Sequence, residues 1–381
     1  MKLDFFSGKR GGFGAMLPLI KELQYSSGSV DINLIVTDQH LDPKFGRTIK
    51  EVEKYGITLV ECGIGLSDGN SALGRIRNLT VMTESLANHL HNRNPDLIVL
   101  YGDRTETLFA ASTAAIMNIP IAHLQGGDRS GSVDDIIRHS ITKLASLHYV
   151  SCEDSASRVI KLGEATDRVI NVGDSHVDAI TMSKTISRAA ILDKLELGEM
   201  DNYCVLLQHP ETTNSKDSEC QIKCTLEALS NIGIDTIAIY PCSDPGHEEI
   251  ISAVEVGVRE GVIKKLFKNL EFGDFLNLCR YSRFLIGNSS SGIIESAYLA
   301  IPAINIGRRQ LNRLDGGNVL HVQHDTEEII KAIEFLMDDQ RRHEFISGSA
   351  KIYGDGFSFK KISADLLRRD LKSLLPKLIT Y

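Results

Sequence analysis

The sequence lacks any apolar run long enough to cross a bilayer, and its N-terminus lacks the charged-then-apolar pattern of a secretory signal peptide. We therefore expect a cytoplasmic protein with no membrane partner. There is also no block rich in Lys and Arg, and the net charge of −8 argues against nucleic acid as a main partner. A few local arginines are enough to hold a phosphate, so small anionic ligands stay open.

Cysteines are few and scattered. None of the seven belongs to a Cys-x-x-Cys pair or to a Cys/His cluster at metal-ligand spacing. The sequence therefore predicts reduced thiols, no disulfide framework, no metal site and no cofactor.

The chain of 381 residues is too long for one ordinary domain and long enough for two cores of similar size. Short apolar, β-prone runs such as 3–6 and 96–101 alternate with amphipathic stretches of helix length, which is typical of a parallel sheet. After a charged segment at 182–202 the same alternation starts again at 203–208. The pattern predicts an α/β protein of two Rossmann-like domains that face each other across a cleft.

We place the domain boundary in the charged segment. The predicted N-terminal domain spans 1–182 and the predicted C-terminal domain spans 183–358. A last helical region within 359–381 is predicted to cross back and pack on the N-terminal domain.

Polar and glycine-rich segments follow the predicted strands in both halves of the chain. They lie at 7–14, 102–104, 125–127, 209–210 and 287–292. Ligands of open parallel sheets bind beyond the carboxyl ends of the strands. Two rows of polar groups are therefore predicted to face each other across the cleft.

The segment Ser289, Ser290, Ser291, Gly292 joins a buried strand to a helix. Small residues there present N–H groups and hydroxyls at a helix N-terminus, which suits an anion; a serine-rich helix cap is the alternative. Glu295, on the first turns of the same helix, is placed to accept hydrogen bonds from two ribose hydroxyls, or else only complements the helix dipole.

Lys9 and Arg10 lie in the glycine-rich stretch after the first strand, whose spacing fits neither a dinucleotide fingerprint nor a P-loop. Two cations at a strand end would clamp a diphosphate from the side opposite the serines, and Arg104 would add a third charge. A flexible turn is the alternative.

Asp103 ends an almost wholly apolar strand, so its carboxylate must be paired or have a raised pKa. A salt bridge with Arg104 or Arg138 is the alternative to a catalytic role. Asp134 opens a predicted helix and takes part in chemistry or complements the helix dipole. His209, at a strand end, donates to a phosphate oxygen or is a core histidine with satisfied hydrogen bonds.

Together these segments resemble the hydrolysing UDP-N-acetylglucosamine 2-epimerases of sialic acid and legionaminic acid synthesis. The resemblance covers nearly the whole chain, and its specificity lies in the order and spacing of several motifs. The motifs are Gly102-Asp103-Arg104-x-Glu106, 119–127, Asp134-x-x-x-Arg138-His139, Val172-Gly173-Asp174, His209-Pro210-x-Thr212, Tyr240-Pro241, 287–295 and 305–313.

The resemblance implies a glycosyltransferase-B-like fold, no metal requirement, and a homodimer or homotetramer. It also implies a reaction on a UDP-sugar substrate. H2 is removed and UDP expelled by anti elimination, which leaves a 2-acetamidoglucal, and water then adds to give the 2-epimeric free sugar. Such an elimination needs a base at C2 and neutralisation of the departing diphosphate.

The resemblance also implies a role for each matching residue. The N-terminal domain holds the sugar and the C-terminal domain holds the nucleotide. The predicted catalytic residues are Asp103, Gln125, Asp134 and His209. The predicted substrate-binding residues are Lys9, Arg10, Gly14, Arg104, Leu270, Ser289, Ser290, Ser291, Gly292, Glu295, Arg309 and Arg313.

Four positions depart from the family pattern. Lys9 stands where Thr is usual, Gly12 stands where an acidic residue is common, and Cys242 replaces the asparagine of the Tyr-Pro motif. Gln125 replaces the catalytic glutamate, and an amide cannot act as a base.

The glutamine leaves three interpretations. Asp103, Asp134 or Asp128 takes the proton; or the protein hydrolyses its sugar nucleotide without inverting C2; or it acts on an unusual substrate such as a UDP-diacetamido-trideoxy sugar. The leading hypothesis is a hydrolysing 2-epimerase of a UDP-activated 2-acetamido sugar for nonulosonic acid synthesis. A glycosyltransferase of the same fold and a non-catalytic sugar-nucleotide-binding regulator are the alternatives.

Overall fold

The computed structural model describes residues 1–26, 30–63, 71–129, 134–211, 217–378 and 380. No helix within those ranges is both long and apolar enough to span a bilayer. The strands are β1 (Lys2–Ser7), β2 (Asp31–Val36), β3 (Thr58–Glu61), β4 (Leu97–Tyr101), β5 (Ile121–Leu124), β6 (Leu147–Val150), β7 (Val169–Asn171), β8 (Tyr203–Leu207), β9 (Asp235–Ile239), β10 (Lys265–Phe267), β11 (Phe284–Gly287), β12 (Ala303–Ile306) and β13 (Val319–Val322).

The helices lie between these strands. They are α1 (Arg10–Ser26), α2 (Ile49–Glu53), α3 (Ala72–Arg93), α4 (Thr105–Ile116), α5 (Asp134–Leu144), α6 (Glu153–Lys161), α7 (Ser175–Met182), α8 (Arg188–Lys194), α9 (Ser218–Ile232), α10 (His247–Arg259), α11 (Phe272–Arg280), α12 (Ile294–Leu299), α13 (Thr326–Met337), α14 (Asp339–Ser347) and α15 (Ser358–Arg368). Short 3₁₀ turns lie at Asp38–His40, Pro43–Phe45, Thr166–Arg168, Ser290–Gly292 and Leu371–Leu374.

Two parallel sheets form the architecture. The first has the order β3-β2-β1-β4-β5-β6-β7, and the second has the order β10-β9-β8-β11-β12-β13. Every strand pairing in both is parallel. In each sheet the order reverses beside the first strand, which is the doubly wound arrangement of Rossmann folds. The predicted α/β class with two Rossmann-like sheets is confirmed.

The central strands are covered on both faces, and their sequences explain this. All five residues of β4, Leu-Ile-Val-Leu-Tyr, are buried, as are all four of β5. Continuous apolar runs of this kind are typical of strands between two layers of helices. Their carboxyl ends, where apolar residues give way to Gly102 and Gln125, therefore open on the cleft.

Four strands were missed in the sequence, and each had a weak pattern. The edge strands β3, β10 and β13 are largely half-buried or exposed, so they lack a continuous apolar run. The fourth, β6, is interrupted by His148, which is buried and bonded to Glu164 at 3.0 Å. The amphipathic pattern at 46–55 predicts a longer helix than the structure has, since only Ile49–Glu53 is α-helical.

The C-terminal helix α15 packs against the first sheet. Phe359, Ile362 and Leu366 join the apolar cluster that contains Leu3 and Phe5 of β1. Asp178 of α7 fixes the start of α15, because its carboxylate accepts hydrogen bonds from the N–H groups of Ser358 and Phe359, both at 2.8 Å. The residue bounds given above for the two domains and the terminal helix stay predictions.

Backbones from distant parts of the chain touch at Gly173 and Gly354. A Cβ built on Gly173 would lie 3.1 Å from the Gly354 Cα, and both residues have a φ of +96°. Next to them, the Asp174 N–H donates to the Tyr353 carbonyl at 2.8 Å. Glycine is required at both positions for two reasons. A Cβ would collide with the backbone of the other segment, and residues with a side chain rarely adopt the left-handed conformation.

Candidate active site

A cleft runs between the carboxyl ends of the two sheets. Side chains from both halves line it, including those of Tyr101, His176, Cys242, Lys268 and Gln310. The residues predicted for the site that line it are Lys9, Arg10, Asp103, Arg104, Gln125, His209, Ser289, Ser290, Ser291, Glu295, Arg309 and Arg313. Within the described residues, no group of three or more His, Cys, Asp or Glu side chains has an arrangement that could hold a metal ion.

The turn after β1 brings Lys9 and Arg10 to the start of α1. Gly8 allows this, because a Cβ there would lie 2.4 Å from the Glu106 carboxylate. Burial lowers the pKa of Arg10 to about 10, against the opposing charges of Glu51 and Glu271, so the guanidinium stays charged at neutral pH. Its buried Nη1 has no hydrogen-bond partner among the residues that the structure describes. Because buried donors are normally hydrogen-bonded, we expect a ligand to supply the acceptor for this one.

Arg104 bridges the cleft. Its Nη1 lies 2.6 Å from the nearer carboxylate oxygen of Asp244, which follows β9 of the second sheet, and its Nε lies 3.3 Å from Glu106. Burial opposes ionisation of Asp244, but the charge of Arg104 outweighs it and holds the pKa of that carboxyl far below its ordinary value. The buried Nη2 of Arg104 has no partner within the described ranges.

Asp103 forms a salt bridge with Arg138. Of the two arginines considered from the sequence, the structure therefore selects Arg138. Burial would raise the pKa of Asp103, but the positive charges of Arg138, Lys9 and Arg309 bring it down to about 2. The carboxylate is ionised at neutral pH and lines the cleft.

The pKa of Asp134 shifts in the opposite direction from that of Asp103. It opens α5, and its carboxylate lies 3.5 Å from Nη2 of Arg309, which comes from the second half of the chain. Burial raises the pKa of Asp134 more than the charge of Arg309 lowers it. Arg309 also donates to the Asn288 carbonyl at 3.1 Å.

Gln125 is fixed at both ends of its side-chain amide. Its Nε2 donates to Asp174 Oδ2 at 2.6 Å, and its Oε1 accepts from Arg138 Nη1 at 3.2 Å. This orientation is the one that satisfies both neighbours, since a carboxylate only accepts and a guanidinium only donates. The backbone at Gln125 has a φ of +65°, an uncommon conformation for a residue with a side chain.

Asp128 is fully engaged elsewhere. It accepts from Arg313 Nη2 at 2.8 Å and from the hydroxyls of Ser151 and Ser155. It is buried and does not line the cleft, so this geometry speaks against Asp128 as the base that replaces a glutamate.

His209 presents one ring nitrogen to the cleft. Its Nδ1 accepts from the Cys242 backbone N–H at 2.9 Å, so the proton of the neutral ring lies on Nε2. Burial, together with the positive charges of Arg309 and Lys9, holds the pKa of His209 well below its ordinary value. The imidazole is therefore a neutral donor. Asn288 fixes its backbone on both sides, at 2.7 and 2.9 Å.

The serine turn follows β11. Gly287, with a φ of +128°, has no room for a Cβ, which would lie 2.3 Å from the Leu207 carbonyl oxygen. The hydroxyl of Ser291 donates to Glu295 Oε1 at 3.2 Å. The other oxygen, Oε2, is buried and has no donor among the described residues. Because Glu295 lines the cleft, its free oxygen is available to a hydroxyl-bearing ligand.

Comparison with known proteins agrees with this geometry. Residues 21–367 match the family described as UDP-N-acetylglucosamine 2-epimerase. The chain belongs to that family.

Two relatives of the epimerase family are each 30% identical to this chain. The UDP-N,N'-diacetylbacillosamine 2-epimerase (hydrolyzing) of Legionella pneumophila matches over 93% of this chain and 92% of its own length. The GDP/UDP-N,N'-diacetylbacillosamine 2-epimerase (hydrolyzing) of Campylobacter jejuni matches over 87% of both chains. The family at this level of similarity is that of hydrolysing 2-epimerases of UDP-acetamido sugars.

A solved structure of the epimerase family shares the fold. The crystal structure of UDP-GlcNAc 2-epimerase from Neisseria meningitidis bound to UDP-GlcNAc has a TM-score of 0.77 and 20% identity, over 97% of this chain and 100% of that one. The predicted glycosyltransferase-B-like arrangement is thereby confirmed.

Four residues predicted for the epimerase site lie outside the cleft lining. The carboxylate of Asp134 stands behind Arg309. Gly14 lies on α1 against Phe272 of α11, whose ring would be in ordinary van der Waals contact with a Cβ, at 3.6 Å. Leu270 belongs to an apolar cluster beside the cleft, and Gly292 completes the serine turn. The motif residue Thr212 lies outside the described residues.

Sequence reasoning assigned no role to several residues of this epimerase-family site, among them three that line the cleft and the partner of Arg104. Tyr101, His176 and Gln310 line the cleft, and Asp244 pairs with Arg104. His176 and Asp244 each follow a strand closely, so the strand-end rule contained the signal for both.

Proposed function

We propose that the protein is a hydrolysing 2-epimerase of a UDP-activated 2-acetamido sugar, either UDP-N-acetylglucosamine or a UDP-diacetamido-trideoxy sugar. It releases UDP and the 2-epimeric free sugar, which serves nonulosonic acid synthesis. Relatives named for acetamido sugars, at 30% identity over most of the chain, support this substrate class. A homodimer or homotetramer is part of the proposal.

The observation that carries the proposal is the pairing of cations and hydroxyls across the cleft. Lys9 and Arg10 face it from the first half, and the serine turn and Arg309 face it from the second. Arginine forks and hydroxyls are suited to a diphosphate, and they stabilise charge that develops on a leaving nucleotide. Glu295, with one buried oxygen without a donor in the described structure, suits the ribose.

Two carboxylates supply the proton transfers. The ionised Asp103, which lines the cleft, accepts the proton from C2 of the sugar. Asp134, whose pKa is raised by burial, returns a proton to C2 once Arg309 turns to the diphosphate and uncovers it, because its carboxylate lies 3.5 Å from Arg309 and outside the cleft lining. Groups whose pKa values are pushed apart in one site suit a base and an acid respectively. His209 donates from Nε2 to the sugar or the diphosphate.

A sugar-nucleotide hydrolase that leaves C2 unchanged is the second candidate, and Gln125 favours it. The amide that replaces the family glutamate cannot take a proton. A non-catalytic sugar-nucleotide-binding regulator would keep the same clamp.

Turnover in deuterated water separates these functions. The protein is incubated with UDP-N-acetylglucosamine, a UDP-diacetamido-trideoxy sugar and their GDP forms, and products are followed by NMR. UDP release with deuterium at C2 of a 2-epimeric sugar supports the epimerase. UDP release without exchange supports the hydrolase and contradicts the proposal. Tight binding without turnover supports the regulator and also contradicts the proposal.

A further inference from the structure

The ring of His176 is held at one edge by fixed partners. His176 is the second residue of α7, and its side chain lines the cleft. Its Nδ1 lies 2.5 Å from the Tyr101 hydroxyl and 3.3 Å from Asp174 Oδ1. Because a carboxylate only accepts hydrogen bonds, a proton on Nδ1 satisfies Asp174. Nε2 is left as the nitrogen that can exchange a proton with a ligand.

Nε2 is directed toward the turn that starts α1. A Cβ built on Gly11 would lie 4.0 Å from it, and Gly11 and Gly12 line the cleft beside the ring. The first N–H groups of a long helix have no intrahelical partner and favour an anion. A phosphate oxygen bound at this turn would meet both these N–H groups and Nε2 of His176.

The charges around the ring favour its cationic form. Burial alone would lower the pKa of His176, but the negative charges of Glu295 and Asp174 outweigh burial and the charge of Lys9, and the pKa lies above its ordinary value. The polar and charged groups next to the ring are Asp174 and Tyr101, which contact Nδ1, together with Lys9 just before α1 and Glu295 on α12. The other carboxylate of α7, Asp178, is bonded to Ser358 of α15.

We propose that His176 is a further catalytic residue, which donates a proton from Nε2 to the diphosphate oxygen that leaves C1. Asp174 is a positioning residue that holds the ring, and Gln125 positions Asp174 through the hydrogen bond of 2.6 Å. This proposal rests on the proposed function, because it needs the departure of UDP.

The elimination step moves two protons and two electron pairs. The C2–H bond breaks, its proton goes to a carboxylate of the cleft, and its electron pair forms the C1=C2 double bond. The C1–O bond breaks, its electron pair goes to the diphosphate oxygen, and that oxygen takes the proton of Nε2. The neutral imidazole regains a proton from water before the next turnover.

The arrangement also gives Gln125 a purpose. A neutral amide can donate to Asp174 and leave that carboxylate fully charged beside His176. A glutamate at position 125 would share a proton with Asp174, because two adjacent carboxylates cannot both ionise easily. The charge of Asp174 beside His176 would then be reduced. The replacement of glutamate by glutamine and the presence of an Asp–His pair are thus parts of one network.

The first test is the pH–rate profile of UDP release by the full-length protein. In the parent, the rate is expected to fall as pH rises through the pKa of His176, because the donor loses its proton. His176→Gln should lower the rate by about a hundredfold or more and remove this basic limb. Asp174→Asn should lower the pKa of His176 and move the limb to lower pH, a shift that a purely structural role does not produce.

A matched control is His321→Gln. His321 also pairs with an aspartate, Asp315, at 3.1 Å, but it belongs to β13 at the edge of the second sheet. Its rate and profile should equal those of the parent. Circular dichroism melting shows whether each variant is folded, and if His176→Gln is not, the shift in Asp174→Asn decides.

The second test measures UDP affinity by calorimetry, which needs no turnover. His176→Gln should bind UDP about tenfold to a hundredfold more weakly than the parent at a pH below the pKa of His176. If the parent turns over and His176→Gln keeps its rate, its basic limb and its UDP affinity, this inference is wrong and the proposed function stands. If the parent releases no UDP from any UDP-sugar, the proposed function is wrong, and the UDP affinities alone then decide whether His176 contacts the diphosphate.

Discussion

The side-chain amide of Gln125 donates a hydrogen bond of 2.6 Å to the carboxylate of Asp174. Burial would raise the pKa of Asp174, but hydrogen bonds and charge from His176 lower it to about 2, so the acceptor is an anion. The same amide accepts from Arg138 on its other side, at 3.2 Å. A neutral group thus links a buried anion to a buried cation.

Gln125→Glu should therefore destabilise the protein rather than restore a base. The new carboxylate would face that of Asp174 in place of the amide hydrogen bond. One of the two would therefore keep a proton and have a raised pKa. We expect a loss of about 1–3 kcal/mol in the free energy of unfolding. Because the folded state would bind the extra proton, this loss should grow as pH rises through the raised pKa. Urea unfolding at several pH values measures it.

The double variant Gln125→Glu/Asp174→Asn is the control. It restores one donor and one acceptor with their direction reversed, so its stability should approach that of the parent. A single variant that is as stable as the parent, or faster in UDP release, would contradict the assigned role of the amide.

His209→Asn separates the two nitrogens of His209. An asparagine oxygen can still accept from the Cys242 N–H, which now donates to Nδ1 at 2.9 Å, but nothing replaces Nε2–H. We expect UDP release about a hundredfold slower, with little change in melting temperature. His209→Ala, which loses both contacts, should be slower and also less stable. Near-parental activity of His209→Asn would show that Nε2 does not contact the reacting groups.

Glu295→Gln tests ribose recognition. The buried Oε2 would become an amide nitrogen, which cannot accept, so UDP should bind about tenfold more weakly. At a pH low enough to keep His176 protonated in both proteins, UDP without its ribose hydroxyls should bind the parent and the variant equally. The exposed Glu334→Gln on α13 is the matched control and should leave both affinities unchanged. If the variant lost the same amount of affinity for UDP and for the analogue without ribose hydroxyls, Glu295 would not contact the ribose.

Glu164 should set part of the acid sensitivity of the fold. It pairs with His148 at 3.0 Å and with Lys377 near the C-terminus at 2.7 Å. Burial would raise its pKa, but hydrogen bonds from His148 and Lys377 lower it to about 2, below the value of about 4.5 without these contacts. Its contribution to stability is therefore present above that higher value and is lost as pH falls from about 4.5 to about 2.

Chemical unfolding of the parent and of Glu164→Gln across this range tests the prediction. The glutamine variant should be less stable at neutral pH, and its stability should change less as pH falls. Parallel pH dependences in the two proteins would contradict it.

The fold was largely predictable because its central strands are long apolar runs. β4 and β8 read as buried strands directly from their sequences. Edge strands such as β3 and β13 are partly exposed and short, so periodicity does not separate them from loops.

The site was predictable where it follows strand ends, and less so where it depends on pairing across the cleft. Lys9, Arg104 and Ser290 were found by the strand-end rule, and all three line the cleft. The partner of Arg104 is Asp244, 140 residues away, and no local pattern connects them. The selection of Arg138 by Asp103, and the link from Gln125 to His176, likewise depend on tertiary packing.

The contact between Gly173 and Gly354 bears on how substrate enters. The chain passes from the first sheet to the second after β7 and returns just before α15, and the two connections touch at these glycines. Rotation about an axis through that contact keeps both connections intact, whereas a sliding motion would pull them apart. We therefore expect the two halves to open as a hinge, with Arg104 and Asp244 separating early and the diphosphate clamp forming only on closure.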